Sequence, residues 1–182
     1  MLDRSTTCLA ATVVASWLAL PAVAMASEVF ACQELKAAVA DAQHGFASHK
    51  GALATPQSEL ADSFGKTYQA KKTMTGAKAC RVVDVSLDEP KMRLRQTGYR
   101  CQFPAVSKLD KGLRAELTHC VAGEVDDASD PEDFTIWADR ASSGEGYRGT
   151  EVSAQVNAAN GLTLWVRQSV CTNKGNGQSC ED

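Results

Sequence analysis

Aromatic residues make up only 6% of this 182-residue sequence, histidine occurs three times, and there is no excess of positive charge. The formal net charge of −3 argues against nucleic acid as the main partner, because domains that bind nucleic acid are usually strongly basic. The composition also excludes a collagenous, coiled-coil or wholly disordered chain. The length suits one ordinary domain.

Sequence motifs of catalytic and metal sites are also missing. The chain has no G-x-S-x-G, no H-E-x-x-H and no Walker loop. It has no C-x-x-C and no zinc-type spacing of cysteine and histidine, so we expect the cysteines to be structural rather than metal ligands. We therefore expect no cofactor and no metal centre. The sequence by itself does not reveal an enzymatic activity.

Residues 1–26 have the pattern of a secretory signal peptide. A polar start precedes twelve apolar residues (9–20), and small-residue cleavage sites end at Ala24 and Ala26. A membrane anchor is disfavoured because about 20 apolar residues are needed to cross a bilayer. Cleavage after Ala26 is preferred and leaves residues 27–182. We expect a periplasmic or secreted protein, with no membrane span once the signal is removed.

Removal of the signal takes away Cys8 and leaves six cysteines, which predicts three disulfides in an oxidising compartment. Six cysteines allow fifteen pairings, and the positions of the cysteines narrow the choice. One pair lies on the apolar stripes of two predicted helices, one on neighbouring predicted strands, and one encloses a tail rich in glycine and asparagine. The predicted pairs are Cys32–Cys120, Cys80–Cys101 and Cys171–Cys180.

Hydrophobic periodicity predicts two helices and up to six strands. Apolar residues at three- and four-residue steps mark helices at 28–43 and 106–120, the second with a capping signal at Ser107 and Asp110. The predicted strands are 64–72, 79–87, 92–103, 134–138, 147–156 and 162–170. The apolar phase changes within the third strand, and Gly98 at that point predicts a β-bulge. Asn160-Gly161 predicts a hairpin between the last two strands.

This order predicts an α+β domain: an antiparallel sheet with two main helices packed on one face, in the order α-βββ-α-βββ, stapled by disulfides. The domain covers residues 27–182 and has a flexible C-terminal tail (172–182). The two halves share an element order and each holds a Gly-Tyr-Arg, at 98–100 and 146–148. These tripeptides occupy different places among the strands, so an internal duplication is the less favoured interpretation.

Three histidines are the weak candidates for catalysis: His44, His49 and His119. The first two lie just after the first predicted helix, and His119 lies near the end of the second. Histidine can serve as the acid or base of a hydrolase. Histidines at helix ends are also favoured by the helix dipole alone, which is the simpler interpretation. The acidic residues between 126 and 133 lack the spacing of a calcium loop and are read as a solvated loop.

The charge distribution is more informative than any motif. Residues 50–100 hold ten Lys/Arg and five Asp/Glu, whereas residues 124–139 hold seven acids and no base. Opposite patches favour oriented encounter with a charged partner. The candidate binding residues are Lys91, Arg93, Arg95, Trp137 and Trp165. The three cations alternate along one predicted strand and therefore project from the same face. The two tryptophans lie on the face opposite to the neighbouring apolar residues of their strands, where aromatic side chains can anchor a partner.

These observations favour an exported, non-enzymatic domain that binds a protein partner, such as an inhibitor, an immunity protein or an envelope accessory protein. The element order resembles folds used by secretion chaperones and by secreted enzyme inhibitors, which is an analogy of architecture only. The alternatives are a small, nuclease-like secreted hydrolase that uses the histidines, and a carrier of a small ligand.

Overall fold

The computed structural model describes residues 29–54, 65–104, 106, 108–126, 132–157, 161–175 and 180. The predicted signal peptide, Cys8, Ser107 and part of the acidic loop (Asp127 and Asp130) lie outside the described residues.

The described chain contains two helices and eight strands. The helices are α1 (Cys32–Ala42) and α2 (Lys111–Cys120). The strands are β1 (Lys50–Leu53), β2 (Gly65–Ala70), β3 (Ala79–Asp88), β4 (Met92–Gln102), β5 (Glu124–Val125), β6 (Asp133–Ser143), β7 (Gly146–Asn157) and β8 (Gly161–Asn173). No helix in the described part of the chain is long and apolar enough to cross a membrane.

All eight strands form one antiparallel sheet in the order β1-β2-β3-β4-β8-β7-β6-β5. The sheet therefore consists of two four-stranded meanders, each preceded by one helix and joined along their last strands, β4 and β8. The pair β7–β8 follows the predicted hairpin, with Asn157 opposite Gly161. One Gly-Tyr-Arg lies in the middle of β4 and the other at the start of β7, so the two tripeptides do not occupy equivalent places.

The prediction of an α+β fold in the order α-βββ-α-βββ was wrong. Strands contain 54% of the described residues, the two helices are short, and each half has four strands. The apolar stripes overestimated the length of the helices. Leu109, for example, belongs to the second stripe but precedes the N-cap Asp110. Strands β1 and β5 were missed because four residues and two residues are too short to show an alternating pattern.

The predicted bulge at Gly98 was also wrong. The register of β4 with both neighbours is continuous through this residue, with Val83 on one side and Arg167 on the other. The apolar phase changes because the two ends of β4 bury opposite faces. Leu94 is partly buried on one face of the sheet, whereas Tyr99 is buried on the other.

Both helices pack on one face of the sheet, here called the helix face, and the main core lies between them. Leu35 and Ala38 of α1 and Leu113 and Leu117 of α2 are buried against this face. The sheet contributes alternate residues of the central strands to the same core: Val82, Tyr99, Cys101, Ile136, Val152, Ala154, Leu162, Leu164 and Val166. The opposite side is called the distal face.

Three disulfides join Cys32 to Cys120, Cys80 to Cys101 and Cys171 to Cys180, which are the pairs expected from the sequence. The first connects the start of α1 to the end of α2 across the two halves. The second joins directly opposed residues of β3 and β4. The third ties the buried Cys180 to β8, and β8 itself includes residues 172–173 of the predicted tail.

Candidate functional site

The structure separates the predicted binding residues into two groups. Trp137 on β6 and Trp165 on β8 both lie on the distal face, and both are partly buried. Arg93 and Arg95 lie on the helix face of β4, and Lys91 precedes that strand. Arg93 forms an exposed ion pair with Asp88 at 2.9 Å. Arg93 and Arg95 therefore lie on the face opposite to the tryptophans, and other arginines surround the tryptophan rings.

The indole ring of Trp165 lies over a glycine of the neighbouring strand. A Cβ at Gly98 would be 3.0 Å from two carbons of this ring, which is a tight contact, so the ring would have to shift by a few tenths of an ångström to accept a larger residue there. The guanidinium groups of Arg100 and Arg167 lie 5.2 and 5.8 Å from the ring centroid, within the range of cation–π contacts. The ring therefore packs on Gly98 and lies within cation–π range of two arginines on the distal face.

Trp137 repeats part of this arrangement on the other half of the sheet. Its ring lies over Gly149, where a Cβ would be 3.0 Å from the ring. Arg140 stacks on it at 4.8 Å. Glu151 lies directly opposite Trp137, and Arg167 is the next residue in the same row. Trp137, Glu151, Arg167 and Trp165 are thus neighbouring side chains that cross the distal face, here called the band.

Only one of the two cations at Trp165 is neutralised by an acid. The Nε of Arg167 donates to Glu151 Oε1 at 2.6 Å, and a second, shorter hydrogen bond comes from Nη2. Glu151 is only 8% exposed, so this pair is well shielded from water. Arg100 has no carboxylate partner among the described residues.

Arg100 instead faces another arginine. Arg81 on β3 lies directly opposite it, and like charges at directly opposed positions of a sheet destabilise each other. Burial lowers the pKa of Arg100, and the charge of Arg81 lowers it further. The Nε of Arg100 is buried and has no hydrogen-bond acceptor in the described structure. Arg81 and Arg100 are thus two neighbouring cations on the distal face with no carboxylate partner among the described residues.

Two small clefts meet at Arg100. A cleft of about 120 Å³ is lined by Arg81, Arg100, Ala79 and Gln102. The other, of about 210 Å³, has Val83, Val85, Gly98 and Trp165 in its wall together with Arg100. Arg167 also lines the larger cleft, so each cleft has two arginines in its wall, and the rest of the larger cleft is mainly apolar.

Of the three candidate histidines, His49 has an acidic partner. Its Nδ1 lies 2.6 Å from Asp41 Oδ2 and 3.1 Å from Ser48 Oγ. Burial alone would raise the pKa of Asp41, but hydrogen bonds from His49 and Ser48 outweigh it and lower that pKa. His49 is buried and borders a cleft of about 490 Å³ beside Tyr99. Burial raises the pKa of Tyr99 to about 12.

The other two histidines do not join this group. His44 is exposed just after α1, and His119 is exposed in the last turn of α2. The serine hydroxyl and the aspartate both contact Nδ1 of His49, so the three residues do not form the relay of a serine hydrolase, in which each ring nitrogen has its own partner.

Neither a metal site nor a phosphate loop is found in the described part of the chain. No group of three or more His, Cys, Asp or Glu residues lies close enough to hold a metal ion there. Gly144, Gly146 and Gly149 have the spacing G-x-G-x-x-G, but they lie in the β6–β7 hairpin rather than between a strand and a helix. The spacing therefore indicates no dinucleotide site.

The sequence contained a partial signal for the distal site. The sequence showed that Trp165 lies on the face of its strand opposite to the apolar residues. Its neighbours Gly98, Arg100 and Arg81 come from other strands, and the sequence did not show how those strands pair with β8. No protein-family model matches the chain, and neither a curated protein nor a solved structure matches it.

Proposed function

We propose that this chain is an exported, non-enzymatic domain that binds a protein partner through the distal face of its sheet. The observation that carries the proposal is the unbalanced arginine pair, Arg81 and Arg100, beside the partly buried ring of Trp165. Tryptophan and arginine are the residue types that most often dominate binding energy at protein interfaces. An inhibitor, an immunity protein or an envelope accessory protein would use such a face.

The charge of this surface favours an acidic partner. Arg81 and Arg100 lack carboxylate partners among the described residues, whereas Arg167 is already paired with Glu151. A partner that supplies negative charge would remove the repulsion between the two arginines and would associate faster at low ionic strength.

Export is supported by the three disulfides, because such bonds persist mainly in oxidising compartments. The periplasm and the extracellular medium both satisfy this condition. One of the bonds joins the two helices and so links the two halves of the domain, and another joins β3 to β4.

The test is a crosslinking capture from the cell envelope of the source organism with the mature protein, read by mass spectrometry. We expect one stoichiometric partner whose recovery falls in Trp165→Ser and in Arg100→Gln. Arg95→Gln is the matched control, because it removes one arginine from the same strand on the opposite face. Recovery that is equal in all variants would overturn the use of the distal face.

A second candidate function is hydrolysis at His49. The hydrogen bond between Asp41 and His49 beside a cleft of about 490 Å³ favours it, since an aspartate that orients a histidine is a common feature of general-base sites. The test is a hydrolase substrate screen with His49→Gln. Loss of turnover with an unchanged melting temperature would support an enzyme, and absence of turnover in the wild type would exclude this candidate for the substrates tested.

A further inference from the structure

We infer that Arg81 and Arg100 together bind one carboxylate of an acidic side chain of the partner, and that the cleft beside Trp165 receives an apolar side chain next to it. This inference rests on the proposed function and specifies the chemistry of the segment that the distal face recognises.

The register of β3 and β4 places two arginines side by side. Residues 81 and 100 are directly opposed, so their side chains leave the same face of the sheet from Cβ atoms about 5 Å apart. Their guanidinium groups repel each other, as the lowering of the Arg100 pKa by the charge of Arg81 indicates, and an anion between them would relieve this repulsion. An arginine fork binds a carboxylate with two parallel hydrogen bonds, and two such forks can share one carboxylate.

Arg100 is held in place before any ligand arrives. Its guanidinium stacks on Trp165 at 5.2 Å, and its Nε is buried with no acceptor. A donor that is already withdrawn from water and held in place gains more from an incoming carboxylate than a solvated, mobile one does. Arg95, on the same strand, is exposed on the opposite face, which makes it a suitable comparison.

The two clefts differ in size and in lining. The cleft between the arginines measures about 120 Å³, and the one lined by Val83, Val85 and Trp165 measures about 210 Å³. Both are smaller than the roughly 300 Å³ at which pockets for drug-sized ligands begin. They fit single side chains that protrude from a larger partner. A charged group and an apolar group side by side therefore match an acidic residue beside an aliphatic one in a polypeptide.

The remaining charges of the band support the choice of these two arginines. Glu151 already occupies the hydrogen-bonding edge of Arg167, so this arginine has less capacity for a further anion. Its guanidinium also lies 5.8 Å from the centroid of the Trp165 ring, so it helps to hold that ring. The binding group is then limited to Arg81, Arg100 and the apolar cleft.

The experiment uses oxidised mature protein with Trp137→Phe, which leaves Trp165 as the only tryptophan of residues 27–182. The probes are acetyl-Gly-Leu-Glu-Leu-Gly-amide and the same peptide with glutamine in place of glutamate. We expect the glutamate peptide to change Trp165 emission in a saturable way and to bind about tenfold more tightly than the glutamine peptide, as a charge-assisted hydrogen bond predicts. Equal binding of the two peptides would overturn the inference.

Variants made in the Trp137→Phe protein distinguish a specific carboxylate site from general electrostatic attraction. Arg81→Gln and Arg100→Gln should each weaken the glutamate peptide about tenfold, and Arg95→Gln should leave its affinity unchanged. If Arg95→Gln weakens binding as much as Arg100→Gln does, the effect is one of net charge and the proposed carboxylate site does not exist. Circular dichroism and the melting temperature of each variant confirm that it is folded.

A third probe distinguishes a polypeptide from a free acid. Octanoate carries a carboxylate and an apolar chain without a peptide backbone, and we expect it to bind more weakly than the glutamate peptide. Tighter binding of octanoate would overturn the polypeptide source and favour a ligand carrier. The capture experiment tests the proposed function separately. A partner that is lost with Trp165→Ser but kept with Arg81→Gln and Arg100→Gln would support binding through the distal face. The same result would overturn the carboxylate site.

Discussion

The ring of Trp165 covers Gly98 on the neighbouring strand and fills the space that a side chain at position 98 would need. Glycine within a strand is unfavourable because it has no side chain to pack and loses more backbone freedom on folding. The indole ring compensates for the first of these effects by covering the exposed backbone. The same ring lies within cation–π range of Arg100 and Arg167, so the contact with Gly98 contributes to the geometry of the candidate site.

Replacement of Gly98 by alanine should therefore displace the ring of Trp165. The added Cβ would lie 3.0 Å from two ring carbons, and overpacking of this kind costs about 1–3 kcal/mol. We expect a lower melting temperature and a red shift of tryptophan emission. Gly144→Ala is the control, because a Cβ there meets nothing within 4 Å. A Gly98→Ala protein with unchanged stability and emission would contradict the packing described here.

The three disulfides should differ in how much they stabilise the domain. Cys32 and Cys120 are 88 residues apart, whereas Cys171 and Cys180 are nine apart. In the chain-entropy description, the longer loop contributes about 4–5 kcal/mol and the shorter about 2–3 kcal/mol. Double replacement by alanine, which leaves no unpaired thiol, followed by urea unfolding should show the larger loss for the first pair. The reverse order would indicate that the loop length does not determine the effect.

The contact between Asp41 and His49 should make stability depend on pH in the acid range. The pKa of Asp41 is lowered in the folded state from its ordinary value of 3.8. Its contribution is therefore complete well above pH 3.8 and is lost as the pH falls through the lower folded pKa. We expect Asp41→Asn to be less stable than wild type at pH 6 and to lose less of its remaining stability on acidification.

Urea midpoints measured from pH 6 to pH 2 test this expectation. Asp88→Asn is a useful comparison, because Asp88 is exposed on the surface and its ion pairs are screened by solvent. Parallel curves for wild type and Asp41→Asn would mean that the hydrogen bonds of Asp41 with His49 and Ser48 do not cause the acid sensitivity.

The N-cap of α2 offers a prediction on local structure. The side chain of Asp110 accepts a hydrogen bond from the backbone N–H of Leu113 at 3.0 Å. Asp110→Ala should lower the free energy of unfolding by about 0.5–2 kcal/mol, and Asp110→Asn, which keeps an acceptor, should lower it less. Chemical unfolding measures both. A loss as large with asparagine as with alanine would mean that the acceptor oxygen is not the source of the stabilisation.

The comparison of sequence with structure has a consistent physical explanation. Features that depend on local pattern were predicted well: the strands around residues 79–87 and 147–156, and the even set of cysteines. The capping signal was read with Ser107 as the N-cap, whereas Asp110 itself is the N-cap of α2. The fold class was wrong because the helical stripes extended past the true helix ends. The bulge at Gly98 was wrong because a change of buried face along one strand produces the same pattern as an inserted residue.

By itself, the amino-acid sequence determined the parity of each long strand, because successive side chains point to opposite faces, and it determined the six cysteines available for pairing in residues 27–182. Only the tertiary structure decided that β4 lies beside β8. That pairing joins residues far apart in the chain and brings Gly98 and Arg100 under and beside Trp165. Long-range register depends on the packing of the whole core, so the site at Arg81 and Arg100 emerges only when the sheet is assembled.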